Sequence, residues 1–395
     1  MNKNELLKEG KSWVKDGIIT EEQLSEIAQR YKKNEPHFIF IFFAVLFISI
    51  GVLLYVFSNL EEANFFIRLT IITLFMVILY VCGAYFTRKE QILFANSFII
   101  LGYVFFGATL ALIDLQYIFH PTSDWLFITW SFVGLFVFFY FQSQILLILG
   151  MSITLYGQFI HIFESDVSLL LILIYTFGYF HFVYHEQFKW TNWLFPIGLA
   201  IHLFIFTSSL HEGFYLVFSI ALILLILALI LPKEKIRFAF ICVSFIVLYI
   251  VNLVESFMLQ DNYNAFTVSL NWILILLISL ALVYAVLAVM TKQYIYLSFL
   301  LLIIPLANMP GAYLLSITLM LLVALGWLIY SYRQVHDLIV PSIMIFIIAT
   351  LAAYIQIGWD TMNRALFFLI GGILLFVISF ILEWQRRKVE KEASQ

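Results

Sequence analysis

The sequence predicts an all-α fold, a polytopic transmembrane helical bundle of about 14 spans with a short N-terminal cytoplasmic helical hairpin. Three observations predict it: composition, the length of the apolar runs and the placement of basic residues. Of 395 residues, 64% are hydrophobic and 11% charged, whereas a water-soluble domain carries about 25% charge. Residues 1–37 and 384–395 hold 11 of the 21 Lys and Arg, so the 346 residues between them carry only 10. Its apolar runs match the ~20 residues that a helix needs to cross hydrocarbon. They are too continuous for barrel strands, and only helices and closed barrels leave no backbone group unpaired in lipid. The chain therefore reads as a hairpin at 1–37, a transmembrane domain at 38–383 and a basic cytoplasmic tail at 384–395.

Residues 3–33 read as two amphipathic helices. The first carries Leu6, Leu7, Trp13 and Val14 on neighbouring turns. Gly17 stands where a helix stop wants a residue tolerant of positive φ. Thr20 and Gln23 form a capping box, flanked by Ile19 and Leu24 as a hydrophobic staple, and start a second helix bearing Leu24, Ile27 and Tyr31. Helices this short are unstable alone. The face made by Leu6, Trp13, Leu24, Ile27 and Tyr31 is thus expected to dock on the membrane domain, on a second copy or on a partner protein. A charged segment at the start, in place of an apolar core, argues against a cleaved signal.

Punctuation at charge, Pro, Gly and Asn clusters then sets the spans at 38–59, 65–86, 92–113, 125–142, 145–163, 167–184, 190–208, 213–231, 237–256, 268–290, 293–307, 312–331, 336–355 and 364–382. The eleventh is short and ends in the breaker string ANMPG, which also suits a re-entrant segment. With the N-terminus inside, Arg88, Lys89, Lys189, Lys233, Lys235, Arg237, Lys292 and Arg333 all fall in loops on that side, as do both tails. Only Arg68 and Arg364 fall opposite. The positive-inside rule favours this threading, with both termini cytoplasmic.

The string LLKEGKSWVKDGIITEEQLSEIAQRY, a first span ending GVLLYVFSNLEE and a second beginning FFIRLTI carry a resemblance. Over roughly residues 5–90 the chain resembles the bacterial predicted membrane protein family called domain of unknown function 2157. The matching positions are Trp13, Gly17, Ile18, Ile19, Thr20, Glu22, Gln23, Gly51 and Asn59; Leu60 departs from the Trp common in the family. The resemblance implies a multi-pass protein of a bacterial cytoplasmic membrane and supplies no activity.

Ion-coupled transporters keep an ionisable residue near the bilayer centre because a charge there is costly without a purpose. No Asp, Glu, Lys or Arg is expected at mid-span. The nearest group is His202, read either as an imidazole hydrogen-bonded to a neighbouring helix or as a proton relay or cargo contact; His181 lies near a span end. On the outer side His161 with Glu164, and Asn252 with Glu255, repeat a three-residue spacing that puts each pair on one helical face. Arg68 follows Glu61 and Glu62, and Arg364 follows Asp360. Both arginines suit either snorkelling with an ion pair or the grip of a lipid phosphate. Phosphate-loop, zincin and nucleophile-elbow motifs are missing, and Cys82 and Cys242 have no partner at metal-ligand spacing. No catalytic, cofactor-binding or metal residue is therefore named. A net charge of -3 makes nucleic acid an unexpected partner; membrane lipids and a homo-oligomer or protein partner through residues 1–33 are expected. The first reading is a non-enzymatic membrane protein whose hairpin assembles it with itself or a partner. The second is a permease or lipid-linked substrate flippase, and the third a membrane glycan-transferring enzyme.

Overall fold

The computed structural model describes residues 37–59, 64–117, 124–161, 167–186, 188–210, 215–261, 272–304, 312–334 and 339–361, with positions 10, 13–14, 17–20, 23–24 and 373. Among these residues every regular element is helical. The chain divides into two compact units, Met1–Leu146 and Leu147–Gln395.

The turn at residues 17–20 of the first unit forms as its residues dictate. Gly17 adopts φ +72°. Its N–H donates to Val14 O at 3.2 Å while that of Ile18 donates to Trp13 O at 2.9 Å, the paired bonds of a Schellman stop. The capping box closes in both directions, with Thr20 N–H on Gln23 Oε1 at 3.0 Å and Gln23 N–H on Thr20 Oγ1 at 3.2 Å. Leu24 is buried, and a Cβ on Gly10 would overlap it. Gly10 thus leaves room for the Leu24 side chain, a contact that apolar periodicity alone does not reveal. Trp13 is half-buried, and Leu6, Ile27 and Tyr31 lie outside the described residues.

Four helices follow: α1 (His37–Leu54), continued by a π-helical turn (Tyr55–Asn59), α2 (Phe65–Arg88), α3 (Ile92–Tyr117) and α4 (Asp124–Phe141). Asn64 starts α2 by accepting the Phe66 N–H at 3.1 Å. One face of α2 closes with α1 and α3 over Val56, Phe65, Ile72, Leu79, Leu101 and Phe105. The rest leaves Phe66, Ile67, Leu74, Val77, Ile78, Val81 and Tyr85 exposed. So large an uncovered apolar surface is stable in lipid and a liability in water. Between α3 and α4, Gly107 leaves room for Trp130. The Trp130 indole donates to Tyr103 O at 3.1 Å and the Tyr103 hydroxyl returns a bond to Trp130 O at 2.8 Å. Asp114 lies just past the expected end of the third segment at residue 113, but α3 runs on to Tyr117, so Asp114 is a buried helical residue and accepts Trp125 Nε1 at 3.0 Å.

The second unit is built from α5 (Gln144–His161), whose first residues end the first unit, then α6 (Leu169–Leu173), a π-helical turn (Ile174–Tyr179) and α7 (Phe180–Glu186). It continues with α8 (Lys189–Ser209), α9 (Leu216–Ile230), α10 (Glu234–Asp261), α11 (Trp272–Met290), a 3-10 segment (Tyr294–Leu302), α12 (Ala312–Gln334) and α13 (Ile339–Thr361). Helix α10 is the axis of its core, packed against α8, α9, α12 and α13.

Seven of the described helices are long and apolar enough to cross a membrane, with five shorter apolar helices besides. Each of the first thirteen sequence-derived segments overlaps a helical element, and 364–382 lies outside the described residues. Two differ in kind from the expectation. The sixth is interrupted by its π turn, and the eleventh is a 3-10 segment of 9 residues. At about 2 Å rise per residue that segment covers about 18 Å, short of the ~30 Å hydrocarbon layer.

Candidate functional site

The 3-10 segment Tyr294–Leu302 departs most from a regular bundle, and polar side chains from three helices hold it. Asn252 of α10 spends one amide hydrogen on Leu248 O at 2.9 Å and the other on Leu302 O at 2.8 Å. The Tyr284 hydroxyl of α11 donates to Tyr296 O at 2.6 Å. Trp327 of α12 donates its indole N–H to Ser298 Oγ at 3.0 Å, and that hydroxyl donates onward to Ile295 O at 2.7 Å. Backbone groups that an α-helix would pair internally are here paired from outside, as burial requires. Aromatic rings supply the apolar side: Phe299 stacks on Trp327 at 5.0 Å and Phe245 lies 4.8 Å from Phe299.

One turn beyond Asn252, on the same face of α10, stands Glu255, 1% exposed. Ser256 beside it is fully buried, and its carbonyl accepts Gln356 Nε2 of α13 at 2.6 Å. The sequence placed Glu255 on the outer side, near the end of the ninth segment. Helix α10 continues to Asp261 and α13 covers this turn, so the carboxylate is inside the unit. The arrangement joins a buried acid, two carboxamides and the terminal carbonyl of an irregular segment, a set suited to a small polar solute or a cation.

His202 is fully buried on α8, and its ring lies 4.6 Å from that of Tyr175. Neither nitrogen has a hydrogen-bond partner among the described residues, so the expected bond to a neighbouring helix is not made there. The Tyr175 hydroxyl donates to Phe195 O at 3.1 Å, reaching the α8 backbone over Gly198. His181 lies on α7 with its ring 4.5 Å from that of His185. His161 ends α5, but its side chain and Glu164 lie outside the described residues, as does Arg364. Arg68 is half-buried in the first turn of α2. Its Nε has no hydrogen-bond partner among the described residues, and Glu61 and Glu62 lie outside them. The sequence reading missed Gln158, a lone amide in an apolar run, and the tyrosines of the π turn.

An apolar cleft of about 160 Å³ opens between α8, α9 and α11, lined by Leu203, Phe206, Leu210, Ile223, Trp272 and Leu276 among others. The two hydroxyls on its wall are spent within their own helices, Thr207 on Phe204 O and Ser219 on Leu216 O. It suits a hydrocarbon chain better than a polar solute.

No curated protein and no solved structure matches the chain. Residues 11–147 match the model of the family described as predicted membrane protein (DUF2157), the family that the N-terminal motifs resemble, and the match ends where the first compact unit does.

Proposed function

We propose that the protein is a multi-pass permease of a bacterial cytoplasmic membrane, with about fourteen crossings and both tails in the cytoplasm, which moves a small polar solute without altering it chemically. The support is the 3-10 segment, whose carbonyl end is caught by Asn252 one turn from buried Glu255. Irregular backbone at membrane depth is tolerated where it is buried in protein or lines a cavity, and transporters build their sites from interrupted helices. A carboxylate kept inside such a bundle marks a solute or ion path.

The test is a chromosomal deletion, complemented by wild type, Glu255→Gln or Asn252→Ala, with small polar metabolites profiled in cells and medium. The deletion is expected to shift the distribution of at least one such metabolite. Wild type restores it, and Glu255→Gln at wild-type membrane abundance does not. Asn252→Ala leaves the Leu302 carbonyl without its donor, at a cost of about 1–3 kcal/mol, and so also lowers abundance. A metabolite distribution untouched by the deletion, or restored in full by Glu255→Gln, would sink the reading.

A second reading, assembly through the hairpin, draws support from the closed capping box and the Gly10–Leu24 contact. Deleting residues 1–33 is then expected to change the oligomer in detergent or the co-purifying proteins. An unchanged mass and an unchanged set of partners would retire it.

A further inference from the structure

Gln158 and His202 are both fully buried in the second unit. Both side-chain polar atoms of each lack a hydrogen-bond partner among the described residues. Contacts along three successive helical stretches bring them to one depth. Gly150 of α5 lies under Tyr179, and Gly198 of α8 lies under Tyr175, four residues earlier in the π turn. Tyr175 meets His202 while Phe180, five residues on, meets Phe195, so the stretch 169–186 runs antiparallel to α8; Gly150 at Tyr179 with Leu155 beside Gly198 and Tyr175 makes it antiparallel to α5 too, and α5 and α8 are therefore parallel. Leu155 Cδ1 of α5 comes within 3.2 Å of where a Gly198 Cβ would stand, which fixes their register. From that contact Gln158 is three residues further along α5 and His202 four further along α8. Each stands one turn on, about 4.5–6 Å, along the side of its helix that carries the Leu155–Gly198 contact. The Tyr175 ring, 4.6 Å from the imidazole, walls one side.

We propose that Gln158 and His202 form a buried binding site for a small uncharged solute of the amide or alcohol class. The carboxamide offers donors and an acceptor, and a neutral imidazole offers one of each. A matching ligand must therefore both donate and accept. No Lys or Arg occurs between residues 144 and 188, so the site has no countercharge for an anion on α5, α6 or α7. A single imidazole beside an amide is too poor a ligand set to hold a transition metal. Gln158 supplies what a lone histidine lacks, a second hydrogen-bonding group at the same depth on another helix. The site uses α5 and α8, whereas the permease reading rests on α10, α13 and the 3-10 segment, so either stands if the other fails.

The experiment uses the full chain, labelled with 15N-histidine, in lipid nanodiscs, with acetamide and glycerol as separate probes and His202 identified by comparison with His202→Asn. The expected result is a saturable shift of the His202 ring resonances with at least one probe, weakened by about tenfold or more in Gln158→Met. Gln158→Asn serves as the paired variant if the methionine form does not fold, and the wild-type titration is read first in any case. No shift with either probe, signals consistent with bound water alone, or equal affinity in the Gln158 variant would each overturn the proposal.

Discussion

Gly198→Ala is expected to unfold the second unit at markedly lower temperature, with a loss of about 1–3 kcal/mol from overpacking and more if the tyrosine is expelled. The new Cβ would overlap the Tyr175 hydroxyl, which sits on the α8 backbone and donates to Phe195 O at 3.1 Å. Tyr175 is fully buried, stacked on Phe195 at 5.0 Å and set against His202. It has no free volume into which to retreat without breaking those contacts. Gly326→Ala is the matched control, since nothing lies within 4 Å of its added Cβ. That change is expected to be neutral or slightly stabilising, because glycine inside a helix costs about 0.5–1 kcal/mol relative to alanine. Thermal unfolding followed by size exclusion in one detergent compares the two directly. Equal midpoints would refute the packing account, and adding Tyr175→Phe to Gly198→Ala should recover part of the loss.

Trp327→Ala is expected to cost about 3–5 kcal/mol, the range for deleting a buried aromatic. Its ring is 2% exposed and meets Phe245, Tyr296, Phe299 and Tyr330. Its N–H is also the donor that fixes Ser298. Trp327→Phe keeps part of the packing and drops that donor, so it should fall between wild type and alanine. Limited proteolysis near residues 294–304 separates the two effects. Faster cleavage in both variants is expected if the indole anchors the segment, and cleavage at the wild-type rate in Trp327→Phe would assign its role to packing alone.

Features with a local physical cause were legible in the sequence. Gly17, Thr20 and Gln23 specify a stop and a start through backbone geometry and one reciprocal pair of hydrogen bonds. The helical segments were legible because a residue lost to lipid by composition has few conformations open to it. The helix type at 294–302 was not, since Tyr-Ile-Tyr-Leu-Ser-Phe contains neither Gly nor Pro to forbid an α-helix. Its form rests on Asn252, Tyr284 and Trp327, donors 12 to 50 positions away in sequence. The burial of Glu255 was not legible for a related reason: its place near the end of the ninth segment says nothing of α13, whose Gln356 reaches the same turn. His202 stood out as a titratable residue in an apolar run, while Gln158, without a titration to draw the eye, did not.

The indole of Trp327 also makes the irregular segment observable. Its N–H is bound to Ser298 and its face is covered by Phe299, whereas Trp190 and Trp272 are exposed to their surroundings. Emission from an indole depends on the polarity of its environment and on what its N–H meets. Replacing the other tryptophans with phenylalanine would leave a single chromophore whose wavelength and quenching report displacement of residues 294–302 in real time, without any attached dye.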